Sequence, residues 1–212
     1  MVLSPLADCY LRSLERRDFI RDLAVVSQLL AKLNVPITRP LLDFHETFGG
    51  YVGKNWMNDV EFGLVLSDDG WGTTVQNRDG TVLIQCAEVD PQDWPPYLDL
   101  EGRYYRSTND EDPIASNFFF HIEQCAFALD WARRTGAASI PFPWAKAKLF
   151  RQTIRGLMTG CELSGYGDDY SDLYLKDNLL VYDSSYSTGL WIAPGPCPQE
   201  LIEFIDEQYQ NR

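Results

Sequence analysis

Histidine is scarce in this chain, and the residue spacings that bind metals are missing with it. The chain has two histidines, His45 and His121, each within an apolar segment of helical periodicity. A lone histidine in such a helix is more often structural than catalytic. No HExxH or CxxC spacing occurs, and we expect no cysteine to lie at ligand spacing from either histidine. The sequence therefore predicts no metal and no cofactor.

Catalytic motifs are also missing. There is no G-x-S-x-G elbow, and the glycine-rich stretch at 49–53 follows a predicted helix rather than the strand that precedes a phosphate-binding loop. Neighbouring carboxylates such as Asp68-Asp69 do not have the spacing of a calcium loop. Two carboxylates could still face each other across a cleft, so an enzyme that acts on a small molecule stays an alternative. We predict that the chain is not an enzyme.

Positive charge is in short supply, since 18 basic residues stand against 31 acidic ones and the net charge is −13. Nucleic-acid binding needs lysine and arginine to neutralise phosphates, so we expect no nucleic-acid partner, and anionic membranes are disfavoured likewise. The acid would steer a basic partner towards the chain, or it serves solubility alone.

Long apolar runs and paired cysteines are absent too. No stretch of 18 apolar residues and no signal peptide is visible, so we expect no membrane span. The five cysteines are far apart in sequence, which is typical of free thiols in a reducing cytosol, and we predict a cytoplasmic protein. They are Cys9, Cys86, Cys125, Cys161 and Cys197.

The first part of the chain reads as helices followed by strands. Apolar residues at helical spacing predict one helical segment over 5–33, which we assign to an N-terminal extension of about 1–34. Thr38 and Gly49 would cap and end a second helix, with Gly49 in a left-handed conformation. Strands are predicted at 60–66, 71–75, 81–89 and 97–106.

The second part of the chain alternates in the same way. Ser116 would cap a mostly buried helix that ends near Gly136. A helix at 142–158, a hairpin from 172–181 to 190–193 and a closing helix from Pro198 complete the series. Together these elements predict an α+β fold in a single domain, 1–212, with an antiparallel central sheet packed by N-terminal, middle and C-terminal helices.

Two segments, 90–112 and 162–183, combine many acidic residues with tyrosines. Rings can anchor an interface and charges can steer a partner, so we predict that both segments form one partner-binding surface, although ordinary strand edges are the alternative. The predicted contact residues are Asp90, Asp93, Asp99, Glu101, Tyr104, Tyr105, Asp110, Glu111, Asp112, Tyr166, Asp168, Asp169, Tyr170 and Asp172.

The order of segments resembles the SUKH superfamily, the Smi/Knr type of domain. The resemblance covers roughly residues 35–209, and the opening helix and residues 137–172 depart from it. The stretches that carry it are Val35-Pro36-Ile37, Leu41-Leu42-Asp43-Phe44, Phe48-Gly49-Gly50, the strands around Trp71-Gly72 and 81–86, Asp93-Trp94-Pro95-Pro96-Tyr97, Phe118-Phe119-Phe120, and Leu190-Trp191-Ile192-Ala193 with the helix from Pro198.

This resemblance implies an α+β fold with a binding role and no catalytic residues. Bacterial members resemble immunity proteins that neutralise toxins, and fungal members are regulatory scaffolds. We therefore expect an immunity or inhibitor protein whose partner is a basic toxin domain. A non-catalytic adaptor is the alternative.

Overall fold

The computed structural model describes residues 2–55, 58–66, 76–78, 80–89, 95–108, 112–140, 156–163, 165–184, 188–196 and 203. The chain forms two compact units, Met1–Ala126 and Phe127–Arg212. The predicted α+β class with antiparallel sheets is confirmed. The domain boundaries assigned from the sequence stay a prediction.

The described helices are α1 (Pro5–Ser13), α2 (Leu23–Lys32), α3 (Arg39–Phe48) and α4 (Phe118–Thr135). The described strands are β1 (Glu15–Arg16), β2 (Tyr51–Asn55), β3 (Asn58–Phe62), β4 (Gln76–Arg78), β5 (Thr81–Gln85), β6 (Ala87–Glu88), β7 (Tyr97–Asp99), β8 (Tyr104–Tyr105), β9 (Ala138–Ile140), β10 (Ser171–Lys176), β11 (Leu179–Ser184) and β12 (Thr188–Ile192).

The opening segment is not one helical stretch, so the prediction for 5–33 is wrong. Between α1 and α2 the chain extends and β1 pairs with β2. Arg16 stabilises the extended segment between α1 and α2, because its guanidinium carbon lies 4.6 Å from the ring centre of Phe19 and 4.5 Å from that of Tyr51. Asp22 then starts α2 by accepting a hydrogen bond from the backbone N–H of Ala24.

Helix α3 begins and ends where the sequence predicts, but the conformations of its ends differ. Thr38 stands at the N-cap without a capping hydrogen bond from its side chain. Gly49 has a φ of −54°, so the left-handed conformation predicted for it is wrong. Gly50 adopts that conformation instead, with a φ of +78°. The Gly49 position still requires glycine, because a Cβ there would lie 2.5 Å from the carbonyl oxygen of His45.

The first unit contains two antiparallel sheets, with strand orders β1-β2-β3-β6 and β4-β5-β7-β8. One continuous stretch of chain, 81–88, supplies β5 to one sheet and β6 to the other. Cys86 lies between the two strands, where its carbonyl accepts from Gly63 and its N–H donates to Pro96. The sheets are therefore joined through the backbone.

Residues 97–106 form a hairpin rather than the single predicted strand. The chain reverses between β7 and β8 because the carboxylate of Asp99 accepts hydrogen bonds from the backbone of Glu101 and Arg103, at 2.9 Å each. The same carboxylate binds the side chain of Arg103 at 2.6 Å. Gly102, with a φ of +83°, completes the turn.

Aromatic rings fill the core of the first unit. Phe118, at the start of α4, lies at the centre, with edge-to-face ring contacts at 4.8 Å to Phe44 and Phe48 and at 5.1 Å to Phe62 and Tyr104. Asn117 caps α4 through its side-chain oxygen, which accepts from Phe120, so the cap is one residue later than predicted. Helix α4 ends before Gly136, as predicted.

The described part of the second unit is built on an antiparallel sheet with the order β10-β11-β12-β9. The predicted strand 172–181 contains a turn at Asp177, so β10 and β11 form a hairpin and β12 follows it. Residues 161–163 extend the sheet, because Leu163 donates to Leu173 and Leu175 donates to Cys161. The strand predicted at 71–75, most of the helix predicted at 142–158 and the closing helix from Pro198 lie outside the described residues.

A substitution of Gly50 tests the close approach between the end of α3 and Arg17 in the extended segment before α2. A Cβ at Gly50 would overlap the carbonyl oxygen of Arg17, whereas a Cβ at Gly80, which has a similar φ of +85°, meets nothing within 4 Å. Both changes to alanine are expected to cost about 1 kcal/mol for the left-handed backbone. Gly50→Ala should cost clearly more in urea denaturation because of the added overlap. Equal losses for the two variants would contradict the close approach.

Candidate functional site

His45 lies beside a cavity in the described part of the first unit. Its Nδ1 accepts a hydrogen bond from the backbone N–H of Leu64 at 3.1 Å, so its Nε2 carries the proton and donates to the carbonyl of Ile20 at 2.8 Å. Burial lowers the pKa of His45, and the bond to Ile20 opposes this effect. Neutral His45 therefore joins α3 to two other segments, and both ring nitrogens are occupied.

The cavity lies directly beside this ring and has a volume of about 260 Å³. Residues 18–20, 61–66, His45, Gly50 and Glu88 line it. His45, Phe62, Leu64 and Val65 are buried, whereas Asp18 and Glu88 are exposed. The cavity thus has a largely apolar floor and an acidic edge.

The acidic edge contains two carboxylates on facing strands. Glu61 of β3 and Glu88 of β6 are directly opposite each other in the antiparallel register. Like charges in this position destabilise a sheet. Arg17 relieves part of the repulsion through an ion pair with Glu61 at 2.9 Å. Within the described part of the chain, no ion pair involves Glu88 or Asp18.

These three carboxylates are not among the contact residues predicted from the sequence. Asp18 lies in the opening segment, for which the sequence predicts a helix. Glu61 and Glu88 are far apart in the sequence. Glu61 and Glu88 each alternate with apolar neighbours, and this pattern predicts that both lie on strands. Only the register of β3 against β6 brings them together.

The second histidine corrects another sequence expectation. Cys125 is four residues after His121 on α4, and its Sγ lies 3.6 Å from Nε2 of His121. Both residues are buried, so the pKa of His121 falls to about 3 and the pKa of Cys125 rises. The thiol and the imidazole are neutral near pH 7. This pair therefore lacks the thiolate that a cysteine nucleophile needs.

Three predicted contact residues of the first acidic segment are interior. Asp99 is 2%, Tyr104 0% and Tyr105 6% exposed. Their assignment to an exposed surface is corrected, because Asp99 builds the β7–β8 turn and the rings belong to the core. Glu101 and Asp112 are exposed. Asp90, Asp93, Asp110 and Glu111 lie outside the described residues.

The second acidic segment stays at the surface. Asp169 is exposed, and the other predicted contact residues are half-buried: Tyr166, Asp168, Tyr170 and Asp172. Asp168 also shapes the turn before β10, because its carboxylate accepts from the backbone of Tyr170 and Ser171 at 2.8 and 2.7 Å. The two predicted segments belong to different units, so their union in one surface stays a prediction.

Asp172 is the residue of the second segment whose negative charge is disfavoured by its surroundings. It is directly opposite Asp183 in the register of β10 and β11, and Gly167 approaches its carboxylate so closely that a Cβ would overlap it. Burial is the main cause that raises the pKa of Asp172, and the charges of Asp168, Asp183 and Glu162 add to it. The hydroxyl of Tyr174 opposes the rise by donating to Asp172 at 3.4 Å.

Comparisons with protein-family models, with curated proteins and with solved structures found no match to this chain. The resemblance to the SUKH superfamily therefore stays a prediction. Among the described residues, no group of three or more potential ligands is arranged to hold a metal ion. The described helices include none with both the length and the hydrophobicity to cross a membrane.

Asp172 gives a prediction for stability and its dependence on pH. Because the pKa is higher in the folded state than the ordinary value of 3.8, ionised Asp172 costs stability above the folded pKa, and the cost disappears as the pH falls through the folded pKa towards 3.8. Asp172→Asn should raise the free energy of unfolding at pH 7 by up to about 1 kcal/mol. The gain should shrink between pH 7 and pH 4 in urea denaturation.

Asp169→Asn is the matched control, since it removes the same charge from an exposed residue of the turn that precedes β10. It should change the unfolding free energy little at either pH. A loss of stability in Asp172→Asn at pH 7 would show that Asp172 is a stabilising group and would contradict the repulsion.

Proposed function

We propose that this chain is a non-catalytic binding protein of the immunity type, which captures a basic protein partner such as a toxin domain. The observation that carries the proposal is a repeated one. In each unit two carboxylates are directly opposite each other on neighbouring strands, Glu61 with Glu88 and Asp172 with Asp183. A cation of a partner that arrives beside the exposed Glu88 or the half-buried Asp172 gains a favourable interaction with that carboxylate.

The magnitudes favour a binding role over a role in folding. A like-charge pair on facing strands costs about 0.2–1 kcal/mol, and Glu88 has no ion pair among the described residues. The exposed charge of Glu88 is therefore open to a partner. A basic partner would be attracted by the net charge of −13 and would associate faster for it.

The state of the two histidines supports a binding protein rather than an enzyme. His45 uses both ring nitrogens to hold the backbone, and His121 is buried against Tyr104 and Phe118 with ring centres at 4.5 and 5.7 Å. General acid–base catalysis needs a group that reaches the substrate and titrates near the working pH. Neither histidine meets both conditions in this structure.

The immunity role comes from the resemblance to the SUKH superfamily and from the acidic balance together. A scaffold with no toxin partner is the alternative. The two differ in one property, because an immunity protein abolishes the activity of a toxin, whereas a scaffold leaves the activity of its partner intact.

The proposal predicts neutralisation. The protein encoded next to this chain's gene should arrest growth when it is expressed alone in a bacterial host, and co-expression of this chain should restore growth. Asp169→Lys reverses an exposed charge beside the Asp172–Asp183 pair, and Glu46→Lys makes the same change on α3 as a control. In stopped-flow mixing of the purified proteins, Asp169→Lys should slow association several-fold at low salt and Glu46→Lys should slow it less.

Two results would count against this function. A neighbouring protein that arrests growth equally with and without this chain would remove the immunity role. Association rates that do not respond to salt in the wild-type chain would remove the acidic surface, because exposed charges are screened beyond about 10 Å at 0.1 M salt.

A further inference from the structure

The cavity beside His45 carries an inference about how a partner would be recognised. Its side chains offer no hydrogen-bond donor to a ligand, because the Nε2 proton of His45 is used by Ile20 and the other polar members are the carboxylates of Asp18, Glu61 and Glu88. A group that binds through these side chains must therefore supply the donors itself. Ammonium and guanidinium groups are donors only, and both carry positive charge.

The backbone of the cavity strengthens this requirement. The N–H groups of Gly50, Gly63, Leu64 and Val65 donate to Phe62, Cys86, His45 and Gln85, respectively. None of these four is free to bind an anion or a carbonyl oxygen. The cavity consequently has acceptors at its edge and a floor of rings and aliphatic groups.

The charges around the cavity decide what it can hold. Arg17 pairs with Glu61, and the guanidinium carbons of Arg16 and Arg21 lie over the ring of Phe19 at 4.6 and 5.4 Å. These cations leave Asp18 and Glu88 without an ion pair in the described part of the chain. The edge can therefore bind a further cation next to Glu88, on the strand that faces Glu61.

The size of the cavity limits the ligand. Its volume of about 260 Å³ lies below the roughly 300–1,000 Å³ of pockets that take drug-sized molecules. Lysine and arginine bury an aliphatic stem on apolar surface and keep the charged end at a polar edge. This division matches the apolar floor and the acidic edge.

We propose that the cavity formed by residues 18–20, 61–66, His45, Gly50 and Glu88 is the pocket for one lysine or arginine side chain of the protein partner. The inference rests on the proposed function, because it assumes a basic partner, and it adds the place and the chemistry of the contact. Phe19 and Ile20 cover the stem, and Asp18 and Glu88 bind the charged end.

The test uses the free chain and two small probes, N-acetyl-lysine amide and N-acetyl-norleucine amide, which share the stem and differ in the charge. In amide NMR spectra the lysine probe should shift the signals of residues 18–20 and 63–66, and the norleucine probe should bind at least tenfold more weakly. The double variant Asp18→Asn, Glu88→Gln should weaken the lysine probe at least fivefold. Glu46→Gln, an exposed carboxylate outside the cavity, should leave it unchanged.

Equal binding of the two probes, or shifts confined to other residues, would overturn the pocket. The neighbouring gene's product separates this failure from a failure of the proposed function. If the double variant still neutralises and binds that protein with unchanged affinity, the pocket is wrong and the immunity role stands. If the lysine probe binds as expected but no neutralisation occurs, the pocket for a basic side chain stands and the immunity role is wrong.

Discussion

The first unit depends on the contact that His45 makes with two stretches of backbone. One ring nitrogen receives the N–H of Leu64 and the other donates to the carbonyl of Ile20, so three segments distant in sequence meet at a single neutral side chain. Glycine is required nearby at 49 and 50, because a Cβ there would overlap the carbonyl oxygens of His45 and Arg17, respectively. The geometry leaves a cavity next to the imidazole and excludes the imidazole from chemistry.

The arrangement of charges fits the binding role that we propose for this chain. Facing carboxylates repel each other across β3–β6 and across β10–β11, and burial together with the charges of neighbouring carboxylates raises the pKa of Asp172. Charges that destabilise the free protein and stabilise a complex increase the specificity for a partner of opposite charge. In the first unit, the pocket proposed beside His45 would add the burial of an apolar stem to that attraction.

The sequence predicts local structure well and long-range structure poorly, for physical reasons. The start and end of α3 follow from Pro40 in the first turn and from the Gly49-Gly50 pair after the last, because helix starts and stops act over a few residues. Strand β1 could not be predicted, since two residues extend only because β2 pairs with them and Arg16 stacks on two rings. The prediction that Asp99 lies on a binding surface was based on its charge and is wrong. Composition does not reveal that backbone N–H groups donate to this carboxylate in the interior.

Hydrogen–deuterium exchange of the chain, alone and with the product of the neighbouring gene, tests the central claim most directly. If the acidic edge of the His45 cavity receives a basic side chain of that partner, the amides of residues 63–66 and 18–20 should exchange at least tenfold more slowly in the complex, and those of α1 should not change. Unchanged exchange in both stretches, with protection elsewhere in the chain, would contradict the account.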